Sequence, residues 1–178
     1  MNGVRWTAVP AALVVALVLC GVATGAPVTW FDPSFQEVTV YETCQVAVAT
    51  NDEILGVTGY DFLIGYDPLV VEPVGVAEGS LPAGYDGDTF LYWDIDEMNR
   101  LLVNGALLGG SVDGPGTLVL IEFMGLADGT SEVLFVDGEM RDIENNAIPT
   151  GWEGATIQVT GAVPVECCSW TSIKALFD

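Results

Sequence analysis

Val57-Thr58-Gly59-Tyr60-Asp61-Phe62-Leu63-Ile64-Gly65-Tyr66-Asp67-Pro68-Leu69-Val70-Val71-Glu72 is the stretch whose reading decides the fold. Its first part, Val57 to Tyr66, is an apolar run that Tyr66-Asp67-Pro68 brings to a stop, because proline has no N–H for a strand ladder and aspartate favours turns. A second apolar run, Val70 to Val76, follows the corner. Neither run carries helical periodicity, so the pair reads as strand, corner, strand.

The same grammar extends outward in both directions. From Val28 to Val159 the chain is a series of short apolar runs cut by Gly, Pro, Asp and Asn. Strands are predicted at Val28 to Phe31, Glu37 to Tyr41, Cys44 to Thr50, Val57 to Tyr66, Val70 to Val76 and Phe90 to Ile95. Others are predicted at Leu101 to Leu107, Thr117 to Gly125, Glu132 to Val136 and Ala155 to Thr160. Asp113-Gly114-Pro115-Gly116 starts one strand and Ala127-Asp128-Gly129 joins two more. Roughly nine or ten strands in one domain imply two packed sheets. Alternation assigns the faces: Leu91, Trp93 and Ile95 point inward, with Phe90, Tyr92 and Asp94 on the other side. In the Thr117 strand, Val119, Ile121 and Phe123 point inward and Leu118, Leu120 and Glu122 outward.

The quoted stretch resembles the cohesin signature, in which a glycine-containing strand start leads through alternating apolar residues to a Tyr-Asp-Pro corner. Val76-Ala77-Glu78-Gly79-Ser80-Leu81 is similar to that family's next segment. Gly114-Pro115-Gly116-Thr117-Leu118-Val119-Leu120-Ile121-Glu122-Phe123 is similar to its Gly-x-Gly-x-Leu-x-x-Ile-x-Phe strand. Order and spacing agree, and the likeness spans residues 28 to 160. It implies an all-β, two-sheet jelly-roll β-sandwich of nine strands, with an exposed sheet face that receives a dockerin helix pair. Carbohydrate-binding modules share the sandwich superfamily, so direct polysaccharide recognition is the alternative function. Family cohesins stand among many modules of a long scaffoldin. This chain reads as one module with its own leader and tail, which adds surface adhesion to the possible roles.

Arg5 precedes an apolar stretch from Ala8 to Val22 that ends in Ala23-Thr24-Gly25-Ala26, the pattern of a secretory signal peptide cleaved after Ala26. The run is too short for a spanning helix, and Leu19 before Cys20 argues against lipid attachment. Removing the first 26 of 178 residues leaves 152, one domain's worth, placed at residues 27 to 160 and exported or held at the cell surface. All 25 acidic residues remain, against Arg100, Arg141 and Lys174, a formal charge of −22. Such a surface repels phosphate backbones and anionic lipid, so nucleic acid and membrane are excluded as partners. Residues 161 to 178 read as a linker, Ala162-Val163-Pro164-Val165-Glu166, and a short amphipathic tail with Trp170, Ile173, Leu176 and Phe177 at helical spacing.

There is no histidine, which removes the commonest general base and zinc ligand and excludes a Ser-His-Asp hydrolase. Asp94, Asp96 and Glu97 form the densest carboxylate group for glycosidase chemistry. No pocket-forming insertion accompanies them, so no catalytic residue is assigned and the chain is read as a non-enzyme. Calcium is the ion that fits, with Asp86 and Asp88 in one loop, and Asp137, Glu139 and Asp142 with Glu144 in another, as its oxygen donors. Cys44 alternates with Val46 and Val48 as a buried small hydrophobe, while Cys167 or Cys168 can reach back to it or pair between molecules. Tyr92, Asp94, Leu118, Leu120 and Glu122 mix apolar and acidic character on outward positions. They form the expected partner-binding face if their strands are neighbours.

Overall fold

The computed structural model describes residues 25–161. In chain order the elements are β1 (Val28–Asp32), β2 (Phe35–Thr39), β3 (Thr43–Thr50), β4 (Gly59–Gly65), β5 (Val71–Glu78) and α1 (Ser80–Ala83). Then come β6 (Thr89–Ile95), β7 (Leu101–Leu107), β8 (Gly116–Gly125), β9 (Gly129–Arg141), β10 (Gly151–Glu153) and β11 (Ala155–Thr160). They make a five-stranded sheet, β10-β1-β3-β8-β5, packed on a six-stranded sheet, β2-β11-β9-β4-β7-β6. The two-sheet sandwich read from turn-punctuated apolar runs is the fold that forms. Eleven strands replace the expected nine or ten because three-residue β10 is too short to carry a period.

The quoted stretch shows why the sheets close on each other. Tyr60, Phe62 and Ile64 of β4 are buried, while Gly59, Asp61, Leu63 and Gly65 alternate outward. The chain then turns at Asp67, whose carboxylate accepts from the Leu69 N–H at 2.9 Å and whose own N–H donates to Ser131 Oγ at 2.9 Å. That corner carries it into the other sheet as β5. Phe62 has no exposed surface and meets Tyr60, Phe135 and Trp152 at ring separations of 5.1, 5.6 and 5.8 Å. Phe135 in turn stacks on Phe31 at 4.3 Å, which ties β1 of the facing sheet to β9. Cys44 is buried in the same core, as its alternation predicts. The leader through residue 24, the tail from residue 162, Cys167 and Cys168 lie outside the described residues.

Two expectations need correction. Leu118 does not face outward; it is fully buried beside Val119. A bulge causes this: Val48 pairs with Val119 but Ala49 with Thr117, so Leu118 has no partner on β3 and the alternation breaks there. Nor do Asp137 and Glu139 lie in a loop. β9 runs on to Arg141, and the register shift between Leu63 and Ile64 leaves Val136 unpaired, so Val136 and Asp137 are both exposed in succession. A strict period of two hides a strand that changes phase midway.

A candidate docking face

Outward residues of four adjacent strands meet in rows across the six-stranded sheet. Register places Tyr92, Asn104, Asp61 and Glu139 side by side on β6, β7, β4 and β9. The next row is Asp94, Leu102, Leu63 and Asp137, and the row on the other side is Phe90, Ala106, Gly59 and Arg141. Phe90 is 53% exposed and Tyr92 45%. Asn104 and Asp61 occupy the centre, with Gly59 and Ala106 on one side and Leu63 and Leu102 on the other, and Asp94, Asp137 and Glu139 stand on the outer two strands.

Two shallow hollows follow from side-chain size. Gly59 and Ala106 leave a floor between Phe90 and Arg141, a hollow of about 360 Å³. A larger groove of about 670 Å³ runs over Leu63 and Leu102 toward Ile148, Pro149 and Trp152, with Asp61, Asp137 and Glu139 on its rim. The Asn104 amide, oriented by its hydrogen bonding with nitrogen toward β4, donates to the Asp61 carboxylate at 3.0 Å. Glu139 pairs with Arg141 at 2.5 Å. The Tyr92 hydroxyl donates to Asp94 at 3.1 Å, and that bond holds its phenol above the ordinary tyrosine range.

Partial burial, and then the charges of Asp137 and Glu139, push the Asp61 carboxyl above the ordinary carboxylate value. The Asn104 bond favours the ionised form and offsets part of that shift. An acid whose folded pKa is raised binds its proton more tightly in the native state. Its destabilising effect is therefore present near neutrality, fades as pH falls through the folded value, and is gone below the unfolded one. Urea midpoints of the wild type and Asp61→Asn between about pH 7 and pH 4 check the sign. The wild type is expected to gain on the variant as pH falls, and a constant difference contradicts the assignment.

The expected binding residues divide between two faces. Tyr92 and Asp94 belong to the rows just described, but Leu120 and Glu122 lie on β8 in the five-stranded sheet, on the far side of the sandwich. Alternation reveals which way a side chain points but not which sheet its strand joins, so one face from all five residues is not formed. The rows contribute Asp61, Leu63, Leu102, Asn104 and Glu139, none of them among the expected partner-binding residues, Glu139 having been expected as a calcium donor. For the first four the signal was present in the alternation of β4 and β7, where each sits between buried neighbours, while Glu139 lies on β9 beyond the change of phase at Val136.

The proposed calcium donors do not converge: among the described residues no three His, Cys, Asp or Glu side chains come together to hold an ion. Asp86 and Asp88 flank Gly87 in the segment between α1 and β6. Asp142 is occupied by its own turn, accepting from Glu144 N at 2.9 Å, Asn146 N at 2.8 Å and the Asn146 amide at 3.1 Å. Those bonds hold its carboxyl below the ordinary range. Asp96, named with Asp94 and Glu97 as a carboxylate group, is engaged by Arg100 at 2.6 Å at the β6–β7 turn.

No family model matches the sequence, and no curated protein does. Solved structures do. A non-cellulosomal cohesin from the archaeon Archaeoglobus fulgidus superimposes with a TM-score of 0.64 at 19% identity, covering 77% of this chain and 93% of its own. A type II cohesin domain from the cellulosome of Acetivibrio cellulolyticus gives 0.64 at 18%, covering 75% and 95%. A chain of a type I cohesin–dockerin complex from Clostridium thermocellum gives 0.63 at 12%, covering 76% and 100%. At such identities the likeness is one of fold: residues 25–161 form a cohesin-like sandwich.

Proposed function

We propose that the chain is a non-catalytic, exported docking module that takes a dockerin-type protein partner on the outer face of β6, β7, β4 and β9. It would serve extracellular polysaccharide degradation or surface assembly. The observation that carries this reading is the set of cross-strand rows, in which Leu63 and Leu102 on β4 and β7 and Phe90 and Tyr92 on β6 lay apolar surface around the central Asn104–Asp61 pair, with Asp94, Asp137 and Glu139 on the outer two strands. Burying these apolar patches drives association, while the carboxylates among them select a complementary, cationic surface and steer its approach. The cohesin-like fold supports a protein ligand, since one structural neighbour was solved with a dockerin bound. Polysaccharide binding is served less well. Sugar platforms present coplanar rings across several strands, and here Phe90 and Tyr92 stand together on one edge strand.

Calorimetric titration with a panel of purified dockerins tests the reading. Leu102→Asp, on the face, is expected to weaken binding by about 30-fold or more, the loss of one central contact. Leu120→Asp, on the opposite sheet, is expected to leave it unchanged. Retention on an insoluble glycan that Tyr92→Ala abolishes, with no dockerin bound, would overturn the proposal in favour of carbohydrate binding.

A further inference from the structure

The six-stranded sheet ends at β6, which pairs with β7 alone. The bonds from Asp96 N to Arg100 O and from Leu108 N to Asp88 O fix the phase of that ladder. Even-numbered residues of β6 bond to β7, so the N–H and C=O of Leu91 and Trp93 point away from the sheet. Among the described residues neither finds a backbone or side-chain partner. Ile95 differs, because its N–H is taken by the Asp94 carboxylate at 2.8 Å.

The other edges carry the usual protections against strand addition. β5 contains Pro73 and a register shift between Pro73 and Gly75. β10 has three residues, and β2 has five, with Glu37 among them. β6 has seven, Thr-Phe-Leu-Tyr-Trp-Asp-Ile, with no proline, glycine or bulge and a single charge. Of the four edge strands it is the longest with an unbroken register, and it is rich in β-prone aromatic residues.

We propose that β6 pairs antiparallel with β6 of a second copy of this chain, about a two-fold axis at Tyr92, joining the two six-stranded sheets into one. The sequence is self-complementary in that register. Leu91 of each copy exchanges its free backbone bonds with Trp93 of the other, Tyr92 meets Tyr92, and Phe90 lies opposite Asp94, so neither Asp94 faces another carboxylate. A register centred on Leu91 would set Asp94 opposite Asp88, and one centred on Trp93 would pair Leu91 itself with Ile95, whose N–H is already engaged, whereas the Tyr92 register meets Ile95 only at its terminal pair with Thr89. The acidic surfaces of two copies oppose this pairing at long range, which makes it dependent on ionic strength. The inference stands apart from partner docking and survives or fails without it.

Sedimentation equilibrium of the purified chain tests it, at about 0.01 M salt, where the screening length is about 30 Å, and at about 1 M, where it is about 3 Å. A monomer is expected at low salt and a dimer at high salt. Leu91→Pro removes an edge donor that makes no bond to β7, so it is expected to stay folded by circular dichroism and monomeric at high salt. Phe90→Asp, placing a carboxylate opposite Asp94, is also expected to abolish the dimer. Phe90→Lys, placing a cation there, is expected to preserve it and to carry it to lower salt. A monomer under every condition overturns the proposal, as does a dimer that both Leu91→Pro and Phe90→Asp leave intact. Loss with Phe90→Lys as with Phe90→Asp overturns the register.

Discussion

Phe62→Ala is expected to cost about 3–5 kcal/mol of stability, a large part of the roughly 5–15 kcal/mol that holds a domain of this kind folded. The side chain is fully buried at the middle of β4, and it is the ring about which Tyr60, Phe135 and Trp152 are arranged. Those neighbours cannot collapse into the space it leaves. Phe135 is held by its stack on Phe31 at 4.3 Å, and it also packs on Trp152 at 4.8 Å. The cavity penalty should therefore add to the lost transfer energy. Urea unfolding should show the midpoint falling with an unchanged slope. Leu63→Ala, one residue along and facing outward, should cost less than about 1 kcal/mol. A loss below about 1 kcal/mol for Phe62→Ala would mean that the aromatic cluster does not organise the core.

That contrast between adjacent residues also marks what a sequence reveals of this fold. β4, β6 and β7 keep a strict period of two, so their inward and outward sets were readable, including the exposure of Phe90, Tyr92 and Asp94. The Tyr66-Asp67-Pro68 corner was readable because its residues fold locally, through the Asp67 carboxylate and the Leu69 N–H. β8 and β9 were misread where a bulge interrupts them, since a bulge is defined by the partner strand and leaves no mark on its own residues. The docking face was legible only in part for a related reason. The chain passes from the five-stranded to the six-stranded sheet between β5 and β6 and back between β7 and β8. Strands near in sequence thus come to opposite faces, and that pairing is a long-range choice.

The strongest coupling expected in the molecule joins Gly105 of β7 to Tyr60 of β4, which are register partners. A Cβ built on Gly105 would stand 2.0 Å from Cζ of Tyr60 and 2.3 Å from its hydroxyl oxygen, so the ring occupies the volume that any side chain at 105 would need. The ring has nowhere to retreat. It is buried, lies against Phe62 on one side, and reaches with its hydroxyl to the Leu118 carbonyl at 3.5 Å, on the bulge of the facing sheet. Burial also pushes its phenol well above the ordinary tyrosine range, so it stays neutral and able to donate. Gly105→Ala should consequently cost about 3 kcal/mol by overpacking, and Tyr60→Ala about 3–5 kcal/mol by the loss of the ring. With the ring gone the added methyl no longer meets it, so the double variant should cost less than the sum of the two by about 1–3 kcal/mol. The cycle is measured by urea unfolding of all four proteins. Costs that add within about 0.5 kcal/mol would show that β7 shifts to accept the methyl, and that the ring does not dictate the glycine beneath Asn104 and Ala106 of the docking face.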